Sequence, residues 1–186
     1  NANAVIRDDK TEIIVSSINQ LTVKRKRVVT VLNKLGNNEA EAYQHYNNDS
    51  KVSSISAVIY DAFGEKIEKY TKKKFSDLSA VDGGTLYSDS RVLYLNHTPT
   101  SYPYTLVFES EYKTSSTGFV NDWFPVTNYL VSVEKSSYKF INKTPIIFRK
   151  KESNFNSFNI ENTSTKSQLN YVLTNQKAKK YESKIF

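Results

Sequence analysis

The chain has 186 residues, a formal net charge of +7, no Cys, no Met and only two His, His45 and His97. That inventory excludes disulfides, thiol nucleophiles and thiolate metal sites, and leaves two imidazoles far apart in sequence. Hydrophobic residues at 38% and aromatics at 13%, with 13 Tyr and 10 Phe, supply enough apolar surface for the core of one domain and exclude wholesale disorder.

Ala is scarce, and Val, Ile, Tyr, Phe and Thr dominate the patterned stretches, which suits strands better than a helical bundle. Thr11–Gln20 and Leu21–Asn33 read as two long strands. In the second, Val23, Arg25, Arg27, Val29 and Val31 alternate with Thr22, Lys24, Lys26, Val28, Thr30 and Leu32. Its middle is therefore expected to be solvated on both faces, and its end to slide from an edge into a core. Leu35–Asn38 reads as a turn, and Glu39–Tyr46 as a strand. Val52–Tyr60, Asp61-Ala62-Phe63-Gly64 and Glu65–Tyr70 form the clearest hairpin, because Asp at the first turn position bonds the backbone ahead of it and Gly at the fourth tolerates positive φ. Ile55, Ala57 and Ile59 are expected to share one face.

Phe75–Ser90 holds a flexible excursion at Val81–Thr85. Arg91–Leu95 and Tyr102–Tyr112 read as strands joined across Pro99, with Tyr104, Leu106, Phe108 and Ser110 on one face and Pro103 confined to a strand start or edge. Phe119–Thr127 is an aromatic loop and Tyr129–Ile141 a long strand. Ile146–Arg149, Ser157–Glu161, Gln168–Asn175 and Tyr181–Phe186 complete the set, around a polar stretch at Lys150–Lys166. Many short strands separated by turn signals, with hardly a helical period, predict an all-β fold, an antiparallel β-sandwich.

Several of these segments resemble a known module. They are Lys26–Asn37 (KRVVTVLNKLGN), Ala57–Ile67 (AVIYDAFGEKI), Leu78–Leu95 (LSAVDGGTLYSDSRVLYL), Tyr102–Tyr112, Tyr129–Lys135 (YLVSVEK) and Tyr171–Glu182 (YVLTNQKAKKYE). The module is the uncharacterised N-terminal domain that precedes a transglutaminase-like domain in exported proteins of Gram-negative bacteria. The resemblance spans nearly the whole chain. It implies an immunoglobulin-like β-sandwich with a core over about residues 11–149, and residues 150–186 as last strands and lead-in to the next domain. It also implies that the catalytic machinery belongs to that following domain, so no catalytic residue, cofactor or metal is expected here. The Asn-Ala-Asn-Ala start, without an initiator, fits a piece of a longer exported protein of the periplasm or cell envelope.

Candidate sites remain on the loops. Asp82, Gly83, Gly84, Ser88, Asp89, Ser90 and Arg91 crowd within Val81–Arg91. They read either as a ligand or domain contact, with Asp82 and Asp89 as acceptors and Arg91 as a bidentate donor, or as a turn with a surface Asp89–Arg91 pair. The run lacks the alternating carboxylates of a calcium loop. Trp123, the only tryptophan, sits beside Asp122 and Phe124. It reads as a plug at one end of the sandwich, a docking surface for a domain or protein partner, or a platform for a carbohydrate or cell-wall polymer.

Residues 1–140 hold 17 Lys/Arg against 16 Asp/Glu, and residues 141–186 hold 9 against 3. This basic end lacks the clustered Arg and the recognition helix of a nucleic-acid site, and no apolar run approaches the ~18 residues of a membrane span. No Gly-x-Ser-x-Gly nucleophile elbow occurs that could supply a serine to His97, so an enzyme is not expected. The reading is a non-catalytic module that positions a following domain, with glycan binding at Trp123 as the alternative.

Overall fold

The computed structural model describes residues 2–80, 89–118 and 120–180, and its strands form two sheets. β1 (Ala4–Ser17) and β2 (Gln20–Val31) are joined by a tight turn at Ile18 and Asn19 and pair antiparallel along their length. The chain then makes β3 (Ala42–Tyr46), β4 (Ser50–Tyr60), β5 (Lys66–Thr71), β6 (Ser76–Ser79), β7 (Arg91–Leu95) and β8 (Tyr104–Thr114). β9 (Val131–Asn142), β10 (Ile160–Asn162) and β11 (Gln168–Gln176) follow. The larger sheet has the order β10-β11-β9-β1-β2-β8-β4-β5, and the smaller has the order β3-β7-β6.

Two expectations about the strands are corrected here. The larger sheet is mixed rather than wholly antiparallel, because β1 runs parallel to β9 from Ala4↔Val131 to Val15↔Asn142. Parallel partners need a long connection, and most of the chain lies between these two. β2 is no edge strand either, since β1 and β8 flank it on both sides. Its outward Lys24 and Lys26 pair across the strands with Glu111 at 3.8 Å and Glu109 at 3.2 Å. That face is solvated, as expected of a sheet with one face on a core.

The inner face carries two apolar clusters. One joins Ile6, Val29, Val31, Ile55, Ala57, Ile59, Leu106, Phe108, Val133 and Leu173 to Ala42, Leu93, Leu95 and Phe75 of the smaller sheet and its approach. The other joins Ile13, Val15, Leu21, Val23, Tyr138, Phe140, Leu169 and Tyr171. Period-2 alternation places these side chains inward, and it does so for Ile55-Ala57-Ile59 and for Tyr104-Leu106-Phe108-Ser110 as the pattern anticipates.

A charged belt separates the clusters. Arg27 Nη1 donates to Asp9 Oδ2 at 2.6 Å, and Arg27 Nη2 donates to Glu39 Oε2 at 3.2 Å. Arg25 reaches Asp9 at 3.6 Å, and the Asn128 amide donates to Glu39 Oε1. Glu39 is 7% exposed, and the Arg27 side chain 15%. The middle of β2 is thus inward and paired on this face rather than solvated. Glu39 arrives on a 3-10 segment, Lys34–Ala40, that is longer than the turn expected at Leu35–Asn38. Asn33 caps it by accepting from Leu35 N–H at 3.0 Å. Gly36 is required there, since a Cβ would meet the Asn3 carbonyl oxygen at 2.3 Å.

The β4–β5 hairpin turns as read, with Asp61 Oδ1 accepting from Phe63 and Glu65 N–H and Gly64 at φ +85. Ile146–Arg149 is not a strand. Asn142 Oδ1 accepts from Thr144 N–H at 3.0 Å, which turns the chain out of β9, and Pro145 follows without a donor for any ladder. β11 pairs with β9 from Gln168↔Ile141 to Gln176↔Val133, so this late strand joins the larger sheet.

Glu39→Ala removes the buried carboxylate that accepts from Arg27 Nη2 and the Asn128 amide, and leaves Arg27 with the Asp9 carboxylate alone. It is expected to cost about 3–5 kcal/mol in urea unfolding, whereas Lys24→Ala on the solvated face costs less than about 1 kcal/mol.

A candidate binding cleft

The second apolar cluster is covered by irregular chain rather than by strands. Tyr138 on β9 stands opposite Tyr171 on β11, and the two rings stack with centroids 6.3 Å apart and planes 15° apart. Trp123 from the segment 120–128 lies against both, 5.7 Å from Tyr171 at 17° and 6.4 Å from Tyr138. Its indole N–H donates to Ser136 Oγ at 3.0 Å. Phe155 meets Tyr171 edge-on at 5.0 Å, and Phe148 meets Phe140 edge-on at 4.8 Å. Offset and edge-to-face pairs of this kind hold aromatic rings in fixed relative positions.

The segments 120–126 and 148–155 form the walls of a cleft of about 560 Å³ over this floor. That size lies within the range of ligand sites, roughly 300–1,000 Å³. Phe124 stands at 71% exposure on one wall. Ile147, at 93%, immediately precedes the other.

Several polar groups of the cleft are used internally. Tyr138 O–H donates to the Asn121 carbonyl at 3.1 Å, and burial pushes its phenol up to about 12, with Asp122 adding to the shift. Tyr171 O–H and the Lys150 ammonium both donate to Glu152 Oε1. Hydrogen bonds from Lys150 and then Tyr171 hold the Glu152 carboxyl below its ordinary value. Arg149 and Lys151 also line the cleft, and among the described residues their side chains have no hydrogen-bond or ion-pair partner.

The structure separates the residues singled out by sequence. Asp122, Trp123 and Phe124 lie together on one wall of the cleft. Asp89 and Arg91 belong instead to the smaller sheet and its approach. Asp89 Oδ2 accepts from Asn48 N–H at 2.8 Å. Arg91 Nε donates to Asp77 Oδ1 at 2.9 Å and to Tyr46 Oη at 3.1 Å, so its acid partner is Asp77 rather than Asp89. These bonds tie β3, β6 and β7 together, and the Tyr46 hydroxyl followed by Arg91 holds the Asp77 carboxyl low. Asp82 and its glycines lie outside the described residues. The opposite wall, with Phe148, Arg149, Lys150, Glu152 and Phe155, was not singled out, although Tyr138-Phe140 and Leu169-Tyr171 carry a period-2 signal for its floor.

His97 lies away from the cleft, in a cluster with Tyr70 and Tyr104. Its Nδ1 lies 3.1 Å from Tyr70 Oη, which donates to Glu68 Oε2 at 2.5 Å, and Tyr104 packs edge-on against the imidazole. Burial pushes the imidazole below its ordinary value, and Glu68 pulls it partly back.

These features define a mostly β domain with an aromatic cleft at one end of its larger sheet. The chain belongs to the DUF3857 family, described as a domain of unknown function with a solved structure, whose model matches residues 19–182. It is also similar to the crystal structure of a protein from Parabacteroides distasonis ATCC 8503 described as a "putative protease", with TM-score 0.66 and 14% identity. The match covers 97% of this chain and 37% of that one, so this chain spans little more than a third of its neighbour. No curated protein matches the chain.

His97 generates a pH prediction. Its folded value lies below its unfolded value of about 6.5, so the unfolded chain takes up the proton first as pH falls. The stability contribution is complete above about pH 6.5 and declines below it. His97→Gln should flatten the slope of unfolding free energy just below that pH, measured by urea titration at closely spaced pH values.

Proposed function

We propose that this domain is a non-catalytic module of a larger exported envelope protein. Its scaffold, immunoglobulin-like by resemblance, positions a following transglutaminase-like domain through contacts at the aromatic cleft. The observation that carries this reading is the cleft itself, an aromatic floor beside apolar side chains left in solvent, with Phe124 at 71%, Ile146 at 54% and Ile147 at 93% exposure. Exposed apolar side chains at a cleft with polar lining mark interaction sites. The reading also draws support from proportion: the fold accounts for 37% of the Parabacteroides distasonis protein, which leaves most of that chain as other structure.

Hydrogen–deuterium exchange tests it. The 186-residue chain and its natural full-length parent are compared peptide by peptide. Residues 120–126 and 148–155 should exchange more slowly in the parent. Equal exchange there, or protection confined to the solvated face of the larger sheet, would contradict the proposal.

A further inference from the structure

We infer that the cleft takes a peptide segment that combines an apolar anchor side chain with flanking carboxylates. This rests on the reading of the cleft as a domain contact, and it names the chemistry of the segment that the following domain presents.

The rings of the cleft floor are already packed against one another. Trp123 lies nearly parallel against Tyr171, Phe155 abuts both edge-on, and the indole N–H is bound to Ser136. A sugar platform needs an open face on its stacking ring, whereas the Trp123 ring lies against Tyr171 and Phe155. Here the hydroxyls of Tyr138 and Tyr171 and the carboxylate of Glu152 are engaged with one another or with the backbone. What remains open is the apolar surface at Phe124. A phenyl or branched aliphatic side chain gains from burial against it.

The cleft also carries an excess of positive charge. Lys150 is matched by Glu152, but Arg149 and Lys151 on either side of it have no partner among the described residues. Lys179 lies 4.5 Å over the ring of Phe158, which also lines the cleft. Three cations, Arg149, Lys150 and Lys151, thus line the cleft against two carboxylates, Asp122 and Glu152, and Lys179 adds a fourth positive charge beside its Phe158 lining. The guanidinium of Arg149 offers a fork of donors suited to a carboxylate. An acidic segment is therefore favoured over a basic one, and its docking weakens as salt rises.

The test follows the Trp123 fluorescence of the 186-residue chain during titration with synthetic octapeptides. One series carries a central Phe or Leu among Asp and Glu, a second replaces the acids by Lys, and a third replaces the anchor by Ala. A neutral chito-oligosaccharide is titrated in parallel. The acidic anchored peptides should bind, and Arg149→Glu or Lys151→Glu should weaken them about tenfold or more. Phe124→Ala should weaken them similarly, with thermal unfolding of all three variants close to that of the parent chain. Three results would overturn the inference: no binding of the acidic series, equal binding of the Lys series, or an oligosaccharide response that Arg149→Glu leaves intact. Failure here with slowed exchange at 120–126 and 148–155 in the parent would leave the docking role standing and remove only the acidic anchor. Success here without that slowed exchange would remove the following domain as the source.

Discussion

The partly buried contact of Arg27 with Asp9 and Glu39 is the constraint around which the inner face is arranged. Asp9 and Arg27 stand directly opposite in the β1–β2 register. A slip of one residue would send Arg27 to the solvated face and bring Lys26 or Val28 in. The belt also divides the core. Charged groups need partners rather than methyl groups around them, so the apolar residues gather above and below it as two clusters. The smaller sheet contributes Ala42, Leu93 and Leu95 to one. The other is covered by loop residues such as Trp123, Phe148 and Phe155. A cover made of irregular segments does not close evenly over a flat sheet, and the cleft is the space it leaves.

This division places the capacity for recognition. The solvated face of the larger sheet carries cross-strand charge pairs such as Lys26–Glu109 and Lys139–Glu12. Its edge strand β5 displays Lys66 and Lys69, which discourage edge-to-edge pairing. The Arg91–Asp77–Tyr46 cluster is spent on holding the smaller sheet together. The cleft differs in combining a preformed aromatic floor with cations that have no internal partner. Trp123 anchors it, since the same ring packs against both apolar clusters and reaches Ser136 beside the belt.

Much of the architecture was legible because period-2 patterns are local. Ile55-Ala57-Ile59 and Tyr104 to Ser110 announced their faces, Arg91–Leu95 was read with its observed bounds, and the Asp61–Gly64 turn follows from its residues alone. What was missed depends on partners distant in sequence. The first strand reads as Thr11–Gln20, yet β1 starts at Ala4 and takes in Arg7-Asp8-Asp9-Lys10, because the charge of Asp9 is met by arginines on the next strand. Arg27 looked solvated because nothing in its own segment reveals Glu39. The parallel β1–β9 pairing leaves no local trace. Asp122, Trp123 and Phe124 were found by their clustered aromatics, but the facing wall was hidden inside a stretch that reads as polar, and Ile146–Arg149 mimicked a strand.

The central claim is that the cleft is a contact surface for an acidic, apolar-anchored segment of the same parent protein. Its most direct test is photo-crosslinking in the natural full-length protein, with a photoreactive phenylalanine analogue at Phe124 and, as control, at Lys26 on the solvated face. The account predicts an intramolecular adduct from position 124 that maps by mass spectrometry to a carboxylate-rich segment outside these 186 residues, and none from position 26. No adduct from position 124, the same adduct from both positions, or an adduct mapping to a basic segment would contradict it.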